Sequence, residues 1–268
     1  MTGLFSNGNW QYEQIIENKT VKIYSYLGTD EIVVVPSTID GMKVVGIGST
    51  AFGKNIITAS AIRRVVISEG IVWLSRNVFA LSAVQEIVLP STLRRVESNT
   101  FENARLESIE VDSHNPVFSA RDGVLFRSSP PFVQTIQQFI KRVPPEVTLV
   151  LFPMAKETTF YRVPSDTYRI AGGAFKNCIK LKEVEMPDNV VSLEERAFEN
   201  CFELEKVVLS KNLEGLRDKT FTRCPNLSDV RVTARLPNVS GSAFHDCPQF
   251  KGINVQTRKP SRMHEQEK

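Results

Sequence analysis

The chain has 268 residues, 41% of them hydrophobic and 24% charged, the make-up of a soluble globular protein large enough for a sizeable core. Its 33 basic and 30 acidic residues give a formal charge of +3 with no basic stripe, so nucleic acid is not an expected partner. No apolar run approaches the roughly 18 residues of a membrane span, and the opening MTGLFSNGNW lacks the charged start and apolar middle of a secretory signal. That leaves either a cytoplasmic protein or a chain from which a signal has been removed.

In chain order, residues 1–45 read as an N-terminal β module that caps the rest of the chain. The next stretch, VVGIGSTAFG from Val44 to Gly53, meets the loose form of a dinucleotide-binding fingerprint, Gly46-x-Gly48-x-x-Ala51. A phosphate loop needs a crossover helix behind it, and here a short turn of a repeat comes next instead. Later copies of that repeat hold Ser192 and Glu194, or Gly215 and Arg217, at the two glycine positions. The glycines therefore belong to the repeat.

The repeat itself is plainest towards the C-terminus. Phe175, Phe198, Phe221 and Phe244 each follow the last by 23 residues, and Cys178, Cys201, Cys224 and Cys247 keep step. Leu181, Leu204, Leu227 and Phe250, and then Val184, Val207, Val230 and Ile253, do the same. Phe52, Phe79 and Phe101 carry the frame into the N-terminal half, and an aliphatic lies five residues before each phenylalanine, from Ile47 to Val239. Segments RRVVIS, QEIVLP, ESIEVD, TFYRVP, KEVEMP, EKVVLS and SDVRVT alternate apolar and variable residues, as half-buried strands do.

A unit of this length cannot bury its apolar residues alone, so stacking of coils is implied. The expected architecture is a β-rich, right-handed, horseshoe-like solenoid whose strands form one parallel sheet. Short turns or 3-10 segments occupy its other faces and a β-hairpin caps its N-terminus. At about 4.8 Å per coil, seven or eight coils would span roughly 35–40 Å. The phenylalanines should form one continuous spine. The blocks read as 46–112, a hairpin insertion with a degenerate coil at 113–157, a second block at 158–257, and a polar, disordered tail at 258–268. A short helix is expected near Gln134 to Arg142, within VQTIQQFIKRVPPEVTLVLFP.

This pattern resembles the BspA-like leucine-rich-repeat family. The resemblance rests on the "AF" pairs (Ala174-Phe175, Ala197-Phe198, Ala243-Phe244), the C-x-x-L-x-x-V-x-hydrophobic run after them, and SARDGVLF from Ser119 to Phe126. Trp10-x-Tyr12 and the run from Pro36 to Gly41 resemble the family's opening module. The resemblance implies a leucine-rich-repeat fold used for protein interaction, commonly secreted or surface-attached in bacteria and some protists. It brings no catalytic motif with it.

The chemistry-bearing residues agree. The four cysteines stand one per coil and point alike, which suits small-residue packing better than a converging zinc site or a disulfide. His114, His245 and His264 have no spacing that suggests a metal pair or a catalytic base. Asn18-Lys19-Thr20, Asn226-Leu227-Ser228 and Asn238-Val239-Ser240 fit the short glycosylation pattern.

Outward-facing positions supply a candidate interaction face. One column reads Arg64, Glu86, Ser108, Glu183, Lys206 and Asp229; the next reads Val66, Val88, Glu110, Glu185, Val208 and Arg231. Glu86, Glu110, Glu183 and Glu185 would make its middle acidic. The expectation is a monomeric, non-enzymatic binding module with no cofactor, no metal and no membrane insertion, engaging a protein through this face and the insertion. An extracellular or surface location comes from the resemblance alone; an intracellular scaffold of the same fold is the alternative.

Overall fold

The structure, a computed structural model, describes residues 3–15, 19–53, 60–128 and 146–256. The expected helix near Gln134 to Arg142 and the tail at 258–268 lie outside the described residues. Three antiparallel strands open the chain: β1 (Leu4–Asn7), β2 (Trp10–Ile15) and β3 (Thr20–Tyr26). The rest is a β-solenoid of about nine turns with almost no helix. No described helix is long and apolar enough to cross a membrane.

Most turns of the solenoid contribute a strand to a front sheet and, further along, a strand to a back sheet; after β18 the back sheet is reduced to a single bridge between Leu216 and Val239. In the first block the front strands are β4 (Ile32–Val35), β7 (Arg64–Ile67), β9 (Glu86–Leu89) and β11 (Ser108–Val111), all parallel. Behind them β6 (Met42–Ile47), β8 (Trp73–Leu74) and β10 (Arg95–Val96) run parallel to one another and continue the cap from β3. The short β5 (Thr38–Ile39) folds back on β6. In the second block the front strands are β15 (Phe160–Arg162), β17 (Glu183–Glu185), β19 (Lys206–Val208), β20 (Asp229–Val232) and β21 (Ile253–Val255), again parallel. Its back sheet begins with an antiparallel trio, β12 (Phe118–Arg121), β13 (Val124–Ser128) and β14 (Val147–Leu151), and continues parallel through β16 (Thr167–Ile170) and β18 (Ser192–Leu193).

All seven alternating segments are front strands, as their period of two requires. The expected single sheet is divided, because β11 and β15 do not pair. The hairpin of β12 and β13 comes between them. Its Asp122-Gly123 turn, with both residues at positive φ, is the tight two-residue kind. At the tip, the Ile109 N–H of β11 donates to the Gly123 carbonyl at 2.9 Å. A Cβ on Gly123 would lie 3.0 Å from Ser108, so glycine is the residue that permits this approach. Gly46 answers the dinucleotide question in the same way: a Cβ there would fall 2.1 Å from the Trp73 indole of the next coil.

Phe79, Phe101, Phe175, Phe198 and Phe221 each sit between residues at positive φ two before and two after, as Asn99 and Asn103 are around Phe101. The rings stack from coil to coil, Phe52–Phe79 at 5.1 Å and Phe79–Phe101 at 5.7 Å. A second ladder runs Phe152, Phe175, Phe198, Phe221, Phe244 with spacings of 5.2, 4.5, 5.0 and 5.2 Å. The expected continuous spine is thus two spines, each inside its own buried cluster.

The frame itself changes beside the break. On the back strands Leu149 is in register with Ile170, and Ile170 with Leu193. Phe175 and Phe198 follow their aliphatics by five residues, whereas Phe152 follows Leu149 by three. The coil of Phe152 is two residues short at its turn. A cleft of about 360 Å³ opens there, between Val96–Ala104 and Ala171–Asn177, with Leu106, Val150, Leu151 and Met154 at its base.

Candidate functional site: the front sheets

Cross-strand register fixes which outward side chains are neighbours. On the first front sheet Ile32, Arg64, Glu86 and Ser108 form one row, and Val34, Val66, Val88 and Glu110 the next. On the second, Phe160, Glu183, Lys206 and Asp229 form a row beside Arg162, Glu185, Val208 and Arg231. Between the sheets stands the hairpin tip, so Glu86 and Glu110 are not in one array with Glu183 and Glu185.

Nor is the middle of the face bare acid. Arg64 donates to both Glu86 and Glu110, the second at 3.3 Å, and these bonds hold its guanidinium pKa above the usual value. Lys206 donates to Glu183, and Arg162 pairs with Glu185 at 2.7 Å. Arg231 meets Asp229 at 2.6 Å and holds that carboxyl below its ordinary range. The expected acidic centre is therefore a set of ion pairs, between adjacent strands for Arg64–Glu86, Lys206–Glu183 and Arg162–Glu185, two strands apart for Arg64–Glu110, with Asp229–Arg231 paired within β20. Each is partly exposed and contributes about 0–1 kcal/mol, so their main effect is to fix side-chain positions.

The most exposed apolar residues of the face stand at its N-terminal end, with Phe160 and Val255 exposed further along. Ile32 and Val34 are 61% and 59% exposed, and Val66 and Val88 beside them are half-buried. Sequence reading placed Ile32 and Val34 in the cap module. Their alternation with buried Val33 and Val35 is the signal that they begin the front sheet.

The other chemistry-bearing residues take structural positions. All four cysteines are free and buried. Cys178, Cys201, Cys224 and Cys247 each direct Sγ at the carbonyl of the phenylalanine 26 residues earlier, at 3.9, 3.0, 3.0 and 2.8 Å. His114 rests on Asp112 at 3.1 Å and His245 on Asp246 at 3.2 Å, both at the surface. No group of three potential metal ligands occurs among the described residues.

A polar clamp crosses the mouth of the cleft between the blocks. Lys176 lies between Glu102 at 2.9 Å and Glu199 at 3.3 Å. Beside it Asn177 donates to Asn103 at 2.6 Å and Asn200 donates to Asn177 at 2.8 Å. Nothing in the repeat frame distinguishes these residues from ordinary turn positions until the short coil brings the two blocks together.

The comparisons with known proteins agree with this geometry. The family described as BspA type Leucine rich repeat region matches in six copies, over residues 37–121 and 151–261. Among solved structures, a leucine rich cell surface protein from Faecalibacterium prausnitzii A2-165 is 18% identical, with a TM-score of 0.54 over 94% of this chain and 88% of that one. A leucine rich repeat protein of T. pallidum is 22% identical over 92% of this chain and 91% of its own, with a TM-score of 0.46. The pneumococcal vaccine antigen PcpA is 15% identical over 97% and 89%, with a TM-score of 0.47. No curated protein matches.

Proposed function

We propose that this chain, which belongs to the BspA-type leucine-rich-repeat family, is a protein-binding module that works at a cell surface and uses its front sheets as the contact face. The observation that carries the reading is the make-up of those sheets. The front strands turn alternate side chains outward, and they combine an apolar end with charged side chains held in place by ion pairs across and along the strands. A surface whose side chains are already ordered loses less conformational entropy when a partner docks. The surface location draws on the family and on the likeness in fold to the F. prausnitzii cell surface protein.

The test is protease accessibility on intact source cells, with a cytoplasmic protein as control. Cleavage of this chain while the control survives supports the surface reading. Protection until lysis supports the second reading, an intracellular scaffold of the same fold, which the four free thiols favour because oxidising compartments promote disulfides.

A further inference from the structure

Sheet edges are where a β protein invites or refuses a further strand, because their outer N–H and C=O groups lack partners. Where the two front sheets face each other, their edges are partly engaged. The outer side of β11 is met by Gly123, whose carbonyl accepts from Ile109. At β15 the Phe160 carbonyl accepts the Thr158 hydroxyl at 2.9 Å.

Strand β4 differs. It ends the first front sheet and pairs with β7 alone. The Glu31 carbonyl accepts from Arg63 and Arg64 at 2.8 and 3.1 Å, so Glu31, Val33 and Val35 present their backbone groups to β7. By alternation along the strand, Ile32 and Val34 present theirs to the open side. No described residue bonds to them there. Edges are normally protected by lysine, proline or a bulge, yet the residues on this one are the exposed Ile32 and Val34. A groove of about 310 Å³ lies alongside, walled by Asn9, Trp10, Tyr26 and Asp30.

Charge indicates what fits. Asp30 and Glu31 are exposed at the start of β4, and neither is ion-paired with a described residue. A second copy pairing through its own β4 would bring only the same acidic start and the Pro36-Ser37 end to this site, with no cation. One stacked through its β21 edge would bring Lys251 and is the competing occupant that sedimentation tests.

We propose that β4 accepts an extended segment of a partner protein as an added strand. Its β-branched or apolar side chains pack on Ile32 and Val34, and a lysine or arginine faces Asp30 and Glu31. The proposal rests on the protein-binding reading and names the chemistry of the partner. Main-chain bonds supply affinity in this mode, and alternate side chains supply selectivity.

The experiment is fluorescence anisotropy of the full chain with a fluorescein-labelled peptide, Lys-Val-Thr-Val-Thr-Val-Lys, alongside the same peptide N-methylated at alternate residues in each of the two registers. Saturable binding is expected, lost about tenfold or more with Val34→Lys and with one N-methyl register only. Glu31→Lys should weaken binding less, and more at low salt. Far-UV circular dichroism and the melting temperature show that the variants fold. Three results overturn the proposal: no saturation up to about 1 mM peptide, equal binding to Val34→Lys, or equal tolerance of both N-methyl registers. Self-association in sedimentation that Val34→Lys abolishes would give the edge to a second copy and also overturn it. The reading of the front sheets as the contact face fails separately, if a partner identified by cross-linking binds unchanged when those faces are altered, and the protein-binding reading fails if cross-linking yields no partner.

Discussion

The thiol of Cys201 donates to the carbonyl oxygen of Phe175, 3.0 Å away and 26 residues earlier in the chain. The same carbonyl also accepts the backbone N–H of Cys178 at 3.3 Å. The cysteine column thus joins consecutive coils at the phenylalanine turn. Cys201→Ala removes a buried donor and leaves a small void, and should cost about 1–3 kcal/mol. Cys201→Ser retains a donor and should cost less. Urea unfolding of the two variants checks the order; an alanine variant as stable as the parent would reduce the thiol to filler.

Alkaline pH should act on the same column. Burial holds the Cys201 thiol well above its ordinary 9.0, and Cys224 is raised by hydrogen bonding to Cys201 and by burial. Tyr26 is pushed up to about 12 by burial and by its bond to Asp30. An acid whose folded pKa lies above its unfolded value holds its proton more tightly when folded. Its contribution is complete below about pH 9 and is lost as pH climbs past the unfolded value. Each thiol can remove at most about 1.4 kcal/mol per pH unit in that range. Melting temperatures taken at about pH 8 and about pH 10.5 should fall, and Cys201→Ala with Cys224→Ala should flatten the fall.

Phe198 tests the spine. Its ring is fully buried between Phe175 at 4.5 Å and Phe221 at 5.0 Å, and its carbonyl receives the Cys224 thiol. Phe198→Ala should cost about 3–5 kcal/mol. Because coils are stabilised mainly by their neighbours, amide exchange should accelerate in β17 through β20 and change little in β7 and β9. Equal acceleration in both blocks would show that the two phenylalanine ladders unfold as one.

Much of this was legible because repetition multiplies weak signals. No single strand such as Lys206–Val208 is convincing alone, but residues 23 apart in four copies leave only a stacked coil. The two-residue shortening before Phe152 was hidden because the long insertion obscures the frame on its N-terminal side. The register of Leu149 with Ile170 and the stacking of Phe152 on Phe175 show that Phe152 belongs to the column. The charge pairing across the front sheets was present in the spacing. Arg64 and Glu86 are 22 residues apart and Glu183 and Lys206 are 23, so opposite charges fall side by side on adjacent strands. Reading each column as a list of charges, without neighbours, made it look acidic.

Lys176 is the clearest test of how the blocks are joined. It is half-buried and bonds Glu102 of one block and Glu199 of the other. The bonds to both carboxylates outweigh burial and hold its pKa above the ordinary value, although burial is the largest single influence and acts the other way. A double-mutant cycle of Lys176→Met and Glu102→Gln should give a coupling of about 1 kcal/mol, between exposed and buried pairs, that shrinks in high salt. Zero coupling at low salt would assign the joining of the blocks to Asn103–Asn177 and the apolar base of the cleft.

Charge reversal on the second front sheet separates binding from folding. Glu183→Lys with Glu185→Lys places like charges beside Lys206 and Arg162 and dissolves two partly exposed pairs. Such pairs are worth about 0–1 kcal/mol each, so the melting temperature should fall by no more than a few degrees. Val184 between them stays buried, and the strand keeps its register with Tyr161 and Val207. If this sheet touches the partner, capture by the folded double variant should drop about tenfold or more, because like charges across an interface are costly. If capture holds while Val34→Lys abolishes it, the partner is engaged at the β4 end alone, and the ion pairs of the second sheet serve its solubility.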